Sequence, residues 1–219
     1  MTSRDSSRLT PKNDPFQFTT EAMLSIVERV FVFLFFIYFA YRMVSAPPDV
    51  GLLAILLLVS ESLAVILILI QRNPNARSNK FGDWMLGLVG ASLPLFVIAQ
   101  GPGALLSQRI CFVIMVVGLF VQISAKVILG RSFGLVAANR GIKIAGPYRF
   151  VRHPMYAGYI INHVGFLLAF PSLWNAALYA SDLAIQITRI LREEAVLNKD
   201  KTYRDYASQV RYRLVPRVF

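Results

Sequence analysis

"GPYRFVRHPMYAG" occupies Gly146 to Gly158. It sets Arg149, Arg152, His153, two prolines and two tyrosines side by side in a chain that is 56% hydrophobic and only 16% charged. Pro154 suits the first turn of a helix, where its missing N–H is not needed and its φ is already correct. The stretch therefore reads as a turn at Gly146–Pro147, a short basic segment, and a helix opening at Pro154 with His153 at its N-cap. The free backbone N–H groups of Met155 and Tyr156 and the helix dipole favour an anion there. Arg149 and Arg152 add positive charge, and Tyr148 and Tyr156 add aromatic surface.

Outside this stretch the chain is mostly apolar. A soluble domain of 219 residues carries about 25% charged residues, so the deficit points to lipid as the solvent. Apolar runs of bilayer-spanning size recur at Val30–Ala46, Val50–Ile70, Trp84–Ala99 and Ile110–Leu129. The run from Ala157 to Ile190 is too long for one span, and Pro171 breaks it. It reads as a hairpin of two helices, Ala157–Phe170 and Ser172–Arg192. The expected fold is all-α, an integral membrane bundle of five or six transmembrane helices with a cytoplasmic cofactor pocket. The domains follow: a cytoplasmic N-terminal arm (1–21), four transmembrane helices (22–129), and a region with the hairpin and a cytoplasmic C-terminal segment (130–219). The N-terminal residues show no signal peptide.

The net charge is +11, yet 21 of the 23 lysines and arginines fall on one side of a six-helix topology, with Arg42 and Arg109 the exceptions. That is the positive-inside pattern, with both termini cytoplasmic. Anionic membrane lipid accounts for the charge, and no nucleic-acid partner is needed. The membrane is the inner (plasma) membrane in a bacterium and the endoplasmic reticulum in a eukaryote. One cysteine, Cys111, excludes an intrachain disulfide and a thiol metal site, and no metal is expected.

Polar residues inside apolar helices are functional candidates by default. Glu61, Asn162, His163 and Asp182 are of this kind and stand as candidate substrate-facing groups. Their alternative role is helix packing: Glu61 hydrogen-bonded beside Ser60 and Ser62, and His163 with Asp182 across the hairpin. Gly87, Gly90 and Ala91 mark close packing of the third helix.

The hairpin returns Glu193 and Glu194 to the side of the membrane that carries Arg152 and His153. Tyr203 and Tyr206 lie three apart, on one helical face. Such a pocket suits a ligand with a carboxylate for the helix end, hydroxyls for a glutamate and a cationic group for tyrosine. S-adenosylmethionine has all of these, its sulfonium suited to an aromatic face. A nucleotide phosphate suits the basic end too, but no Gly-rich phosphate fingerprint is present. A basic loop that only binds anionic lipid remains the non-enzymatic alternative.

The residues "LGRSF", "GPYRFVRHPMYAG", "REEAVL", "YRDY" and "RYRLVP", in this order over roughly Leu129 to Pro216, resemble the isoprenylcysteine carboxyl methyltransferase family, which is similar in turn to the phospholipid methyltransferases. The resemblance implies an integral membrane methyltransferase that uses S-adenosylmethionine and a lipophilic small-molecule or lipidated acceptor. It implies that Gly146, Tyr148, Arg152, His153, Pro154 and Tyr156 form the cofactor pocket and that Glu194, with Glu193 its competitor, holds the cofactor. Tyr203 and Tyr206 help to close it, and Arg149 is added on physical grounds. His153, Glu194 and Arg152 are the candidate catalytic residues. Family members acting on prenylated proteins commonly have more N-terminal spans, so the acceptor (carboxylate, amine or thiol) is not carried over. An NADPH-dependent membrane lipid or sterol reductase is the enzymatic alternative.

Overall fold

The computed structural model describes residues 15–44, 51–72, 74, 76–78, 81–99 and 102–219. Among the described residues there are seven α-helices: α1 (Pro15–Val44), α2 (Gly51–Leu69), α3 (Phe81–Ser92), α4 (Gln108–Leu129), α5 (Pro154–Ala169), α6 (Leu173–Leu197) and α7 (Lys201–Gln209). Two short strands, β1 (Ala76–Arg77) and β2 (Ala138–Asn139), pair antiparallel, with Ala76 opposite Asn139. The fold is thus mostly helical.

Several boundaries differ from the sequence reading. The first helix opens at Pro15, a residue suited to a first helical turn, so residues 15–21 of the expected arm are helical. The rest of that arm, residues 1–14, lies outside the described residues, as do the linker residues 45–50. The expected third span, Trp84–Ala99, is helical only to Ser92 and then tightens into a 3-10 turn over Leu93–Phe96. Pro94 lacks the N–H an α-helix interior needs. Among the described residues, one helical segment, Gln108–Ser132, is long and apolar enough by itself to cross a bilayer.

The hairpin breaks at Pro171. Ser172 caps α6 by accepting the Asn175 N–H at 3.1 Å. Asn175 is itself fully buried. Its carboxamide donates to the carbonyls of Phe170 and Ile98, both at 2.9 Å, and accepts the Ile98 N–H at 3.0 Å. One side chain thereby fastens the hairpin tip to the segment after α3 and satisfies buried backbone groups that have no helical partner.

Close approach of α4 and α5 sets the core. A Cβ on Gly158 would lie 2.7 Å from the Gly118 carbonyl oxygen, and one on Gly118 would lie 2.6 Å from the Asn162 nitrogen. Gly165 meets Met115 in the same way, at 2.7 Å. Small residues let two backbones touch where apolar side chains would hold them apart. Gly87 and Gly90 on α3 play a similar part against Leu135 and Ile185. Outward faces of α1, α2 and α4 are bulky and apolar, with Phe33, Leu34, Ile55, Ile66, Val113 and Phe120 all exposed. Such contiguous apolar surface marks contact with something other than water.

Gly158→Val should lower stability by about 1–3 kcal/mol, the usual cost of forcing extra methyl groups into a packed contact. Gly82→Ala, where a Cβ meets nothing within 4 Å, should leave the thermal midpoint of the detergent-solubilised protein unchanged. Equal midpoints for both variants would contradict the close α4–α5 contact.

Candidate active site

The opening stretch folds as its residues suggest. Gly146 has φ +56°, a conformation open to glycine, and a Cβ there would strike Ile128. A 3-10 turn over Gly146–Arg149 follows, and α5 begins at Pro154 with His153 as its N-cap. The chain's last segment packs on this turn: the backbone N–H groups of Arg152 and His153 donate to the carbonyls of Tyr212 and Arg213, at 2.9 and 2.8 Å.

Glu194, near the end of α6, is the hub. Its Oε1 accepts from Arg152 Nε at 2.8 Å, from the Tyr203 hydroxyl at 3.1 Å and from His153 Nε2 at 3.2 Å. Its Oε2 accepts from Arg213 Nε at 2.8 Å. Burial works against ionisation of this carboxyl, but the hydrogen bonds from His153 and Arg213, the His153 charge and the Arg152 bond together outweigh it. They hold it well below the usual carboxylate range. The Tyr203 hydroxyl is pushed up by burial and by the Glu194 charge. Tyr206 is pushed up to about 12, mainly by burial, and donates to the Tyr148 carbonyl at 2.7 Å.

Two adjoining clefts open beside this hub and share Leu129, Ser132, Ala138, Arg140, Met155, Tyr156 and Glu193 as walls. The first cleft continues to Asp83 and Leu86 of α3, residues 133–137, Arg189 and Arg192. The second is completed by Tyr148, Arg152, His153, Tyr203, Tyr206 and the 141–143 segment. The structure thus gathers seven residues singled out in the sequence, Tyr148, Arg152, His153, Tyr156, Glu193, Tyr203 and Tyr206, into one cleft. Gly146, Arg149, Pro154 and Glu194 line neither cleft. Gly146 shapes the turn, Pro154 is fully buried at the head of α5, and Arg149 is exposed. Of the two glutamates, Glu193 borders both clefts and accepts from the Tyr156 hydroxyl at 3.4 Å, while Glu194 has both oxygens engaged by protein donors.

The candidate substrate residues lie deeper, along the helices. His163 Nδ1 is 3.4 Å from Asp182 across the hairpin, its ring stacks on Tyr179 at 4.3 Å, and Gln186 hydrogen-bonds the same carboxylate. Asn162 donates to the Met115 carbonyl at 3.3 Å. Glu61 pairs with Lys126 at 3.1 Å, and Lys126 also donates to Ser60, through its hydroxyl at 3.0 Å and its carbonyl at 3.1 Å. This revises the charge map. Lys126 was counted with the cytoplasmic cations, but its side chain is fully buried between α2 and α4 because Glu61 and Ser60 satisfy it there.

Arg140, Arg189, Arg213 and Glu28 went unread as site residues. Arg140 is buried against Gly134, where any Cβ would strike the guanidinium. Arg189 lies over the Tyr156 ring, 5.4 Å from its centroid. The available signal for Glu28 was an acid within a helix that is mostly apolar beyond it. The arginines sit among other basic residues that sequence alone does not distinguish.

Residues 104–205 match the family model of the phospholipid methyltransferases. Among solved structures, a eukaryotic intramembrane Ras methyltransferase, isoprenylcysteine carboxyl methyltransferase, is similar in fold, with a TM-score of 0.50 and 19% identity over 89% of this chain and 77% of that one. Comparison with curated protein sequences gave no match. The family resemblance read from the residues is supported by both the model and the fold.

Glu194→Gln should cost about 3–5 kcal/mol, as expected when one partner of a buried charge cluster is removed. Because the folded carboxyl sits below its ordinary value of 4.5, its contribution is complete above that value. The gap between the native protein and the variant should therefore be full at neutral pH and narrow progressively as pH falls below 4.5. A gap that is constant across this range in thermal unfolding would contradict the assignment.

Proposed function

We propose that this chain is an integral membrane methyltransferase that uses S-adenosylmethionine and methylates a lipophilic acceptor with an anionic head, such as the carboxylate of a prenylated cysteine. The convergence of Tyr148, Tyr203, Tyr206, Arg152 and Glu193 on one cleft carries the reading. The family match over 104–205 supports it, since nearly all of that cleft's walls lie inside the matched region. The apolar outer faces of α1, α2 and α4 fit a protein embedded in lipid by several helices, with its cleft at the cytoplasmic face.

The residues present fit the cofactor. Glu193, the less encumbered glutamate, suits ribose hydroxyls, which moves the cofactor-holding role from Glu194 to its neighbour. Lys143, Arg140 and Arg152 suit a carboxylate, and the tyrosine faces suit a sulfonium and an adenine. When bound, S-adenosylmethionine supplies an already activated methyl group. The protein's own work is then alignment and electrostatics.

Glu194 keeps Arg152, His153 and Tyr203 in place, a positioning role in place of a catalytic one. With both oxygens engaged by protein donors, Glu194 does not serve readily as a general base. Arg140, Arg189 and Arg192 face the first cleft. This set favours an acceptor that arrives ionised and loses no proton.

Calorimetry on the detergent-purified protein should detect S-adenosylhomocysteine binding at micromolar ligand, weakened about tenfold or more by Glu193→Ala. Absence of binding at high micromolar ligand removes the cofactor reading. An unchanged affinity in the variant moves the ribose contact elsewhere.

A further inference from the structure

We propose that the first cleft, between α3, α6 and residues 132–140, is the acceptor site, and that the N-terminal half of the chain governs it through Asp83, Leu86 and Glu28. The proposal rests on the methyltransferase reading above. The two clefts differ in where their walls originate. The second cleft is built from residues between Leu129 and Tyr206, which all but coincide with the family-matched region. The first cleft adds Asp83 and Leu86 from α3, outside that region. A cofactor common to a family is served by shared walls. An acceptor particular to one chain needs walls that the family does not supply.

The far wall of this cleft is gripped from the same half. Leu135 lies in the extended segment between α4 and β2. Its backbone N–H donates to Glu28 Oε1 of α1 at 3.0 Å, and its carbonyl accepts from Arg189 Nη2 of α6 at 3.1 Å. Gly87 of α3 faces that carbonyl so closely that a Cβ would stand 3.0 Å from the oxygen. Three helices therefore hold one residue of the wall, and two of them lie outside the family match.

Glu28 is fully buried on a helix that exposes many apolar side chains, among them Phe33 and Leu34. Burying a carboxylate is costly, and a backbone N–H fixed by it is held firmly. Glu28 acts through Leu135 on Arg189, so it is a positioning residue. Asp83 does comparable work for the opposite wall. It accepts from Ser78 and lies 3.7 Å from Arg192 Nε, which keeps that guanidinium beside the cleft.

The resulting site is amphipathic. Arg189 and Arg192 meet the anionic head of the acceptor, and Leu86 and Phe133 meet the chain that follows it. Glu193 and Tyr156 are among the residues that border both clefts, and their polar groups stand at the boundary between acceptor and cofactor.

The test uses membranes containing the expressed chain, methyl-labelled S-adenosylmethionine, and label counted in the organic extract, alongside S-adenosylhomocysteine affinity of the purified protein. Leu86→Trp fills the cleft and should cut lipid labelling about tenfold or more while leaving cofactor-product affinity within about twofold. Glu28→Leu should also lower labelling at unchanged affinity. Glu28→Gln should restore it, because the carboxamide oxygen still accepts from Leu135.

Should Leu86→Trp fail to fold, the Glu28 pair decides. The proposal is overturned if these variants label as the native chain does, or if labelling and affinity fall in parallel. It is also overturned if the native chain binds S-adenosylhomocysteine yet labels no lipid, a result that leaves the cofactor reading standing. Loss of that binding in the native chain removes both.

Discussion

One buried carboxylate organises the end of this molecule at which the clefts open. Glu194 collects two arginines, a histidine and a tyrosine from three separate stretches: the adjacent Arg152 and His153 at the head of α5, α7, and the segment after it. Each of those donors would be costly to bury alone, and the carboxylate would be costlier still. Held together they fix the angle between α5 and α6 at the end where the clefts open. The tyrosines of the second cleft inherit their positions from this arrangement, Tyr203 through Glu194 directly and Tyr206 through the Tyr148 carbonyl. That leaves Glu193, one residue earlier on the same helix, facing the clefts.

The same economy runs inward from the clefts. Tyr156, Tyr159 and His163 recur on one face of α5, and Asp182, Gln186, Arg189 and Glu193 recur on one face of α6, at helical spacing. They meet as pairs: the Tyr156 hydroxyl with Glu193, Arg189 over the Tyr156 ring, and His163 beside Asp182. Lys126 and Glu61 form a comparable pair between α4 and α2. Polar groups in apolar helices associate because each supplies what the surroundings cannot. These contacts position the helices whose ends make the site.

The two clefts express a division of labour along the chain. Residues 104–205, the family-matched part, carry α4, the opening turn, the hairpin and most of α7, and they wall the proposed cofactor site. α1 and α3 stand outside that part. They reach the proposed acceptor site through a few side chains, Glu28, Asp83 and Leu86.

Much was legible in the residues alone. Pro154 and Pro171 mark the start of α5 and the hairpin break because proline's effect is local. The apolar runs located the six long helical segments, although Pro94 shortens α3 and Pro15 lengthens α1, both by the same local rule. The joining of Arg152 and His153 to the paired glutamates followed from the parity of a hairpin, which returns the chain to the side it left. Tertiary structure alone decided which glutamate faces inward to the arginines and which borders the clefts. It likewise decided that Lys126 is a buried partner of Glu61, and that Glu28, Arg140, Arg189 and Arg213 belong to the site. These choices turn on rotations about helix axes and on contacts between residues tens of positions apart. Side chains that are chemically alike in sequence become distinct only when packing sets which of them can reach a partner.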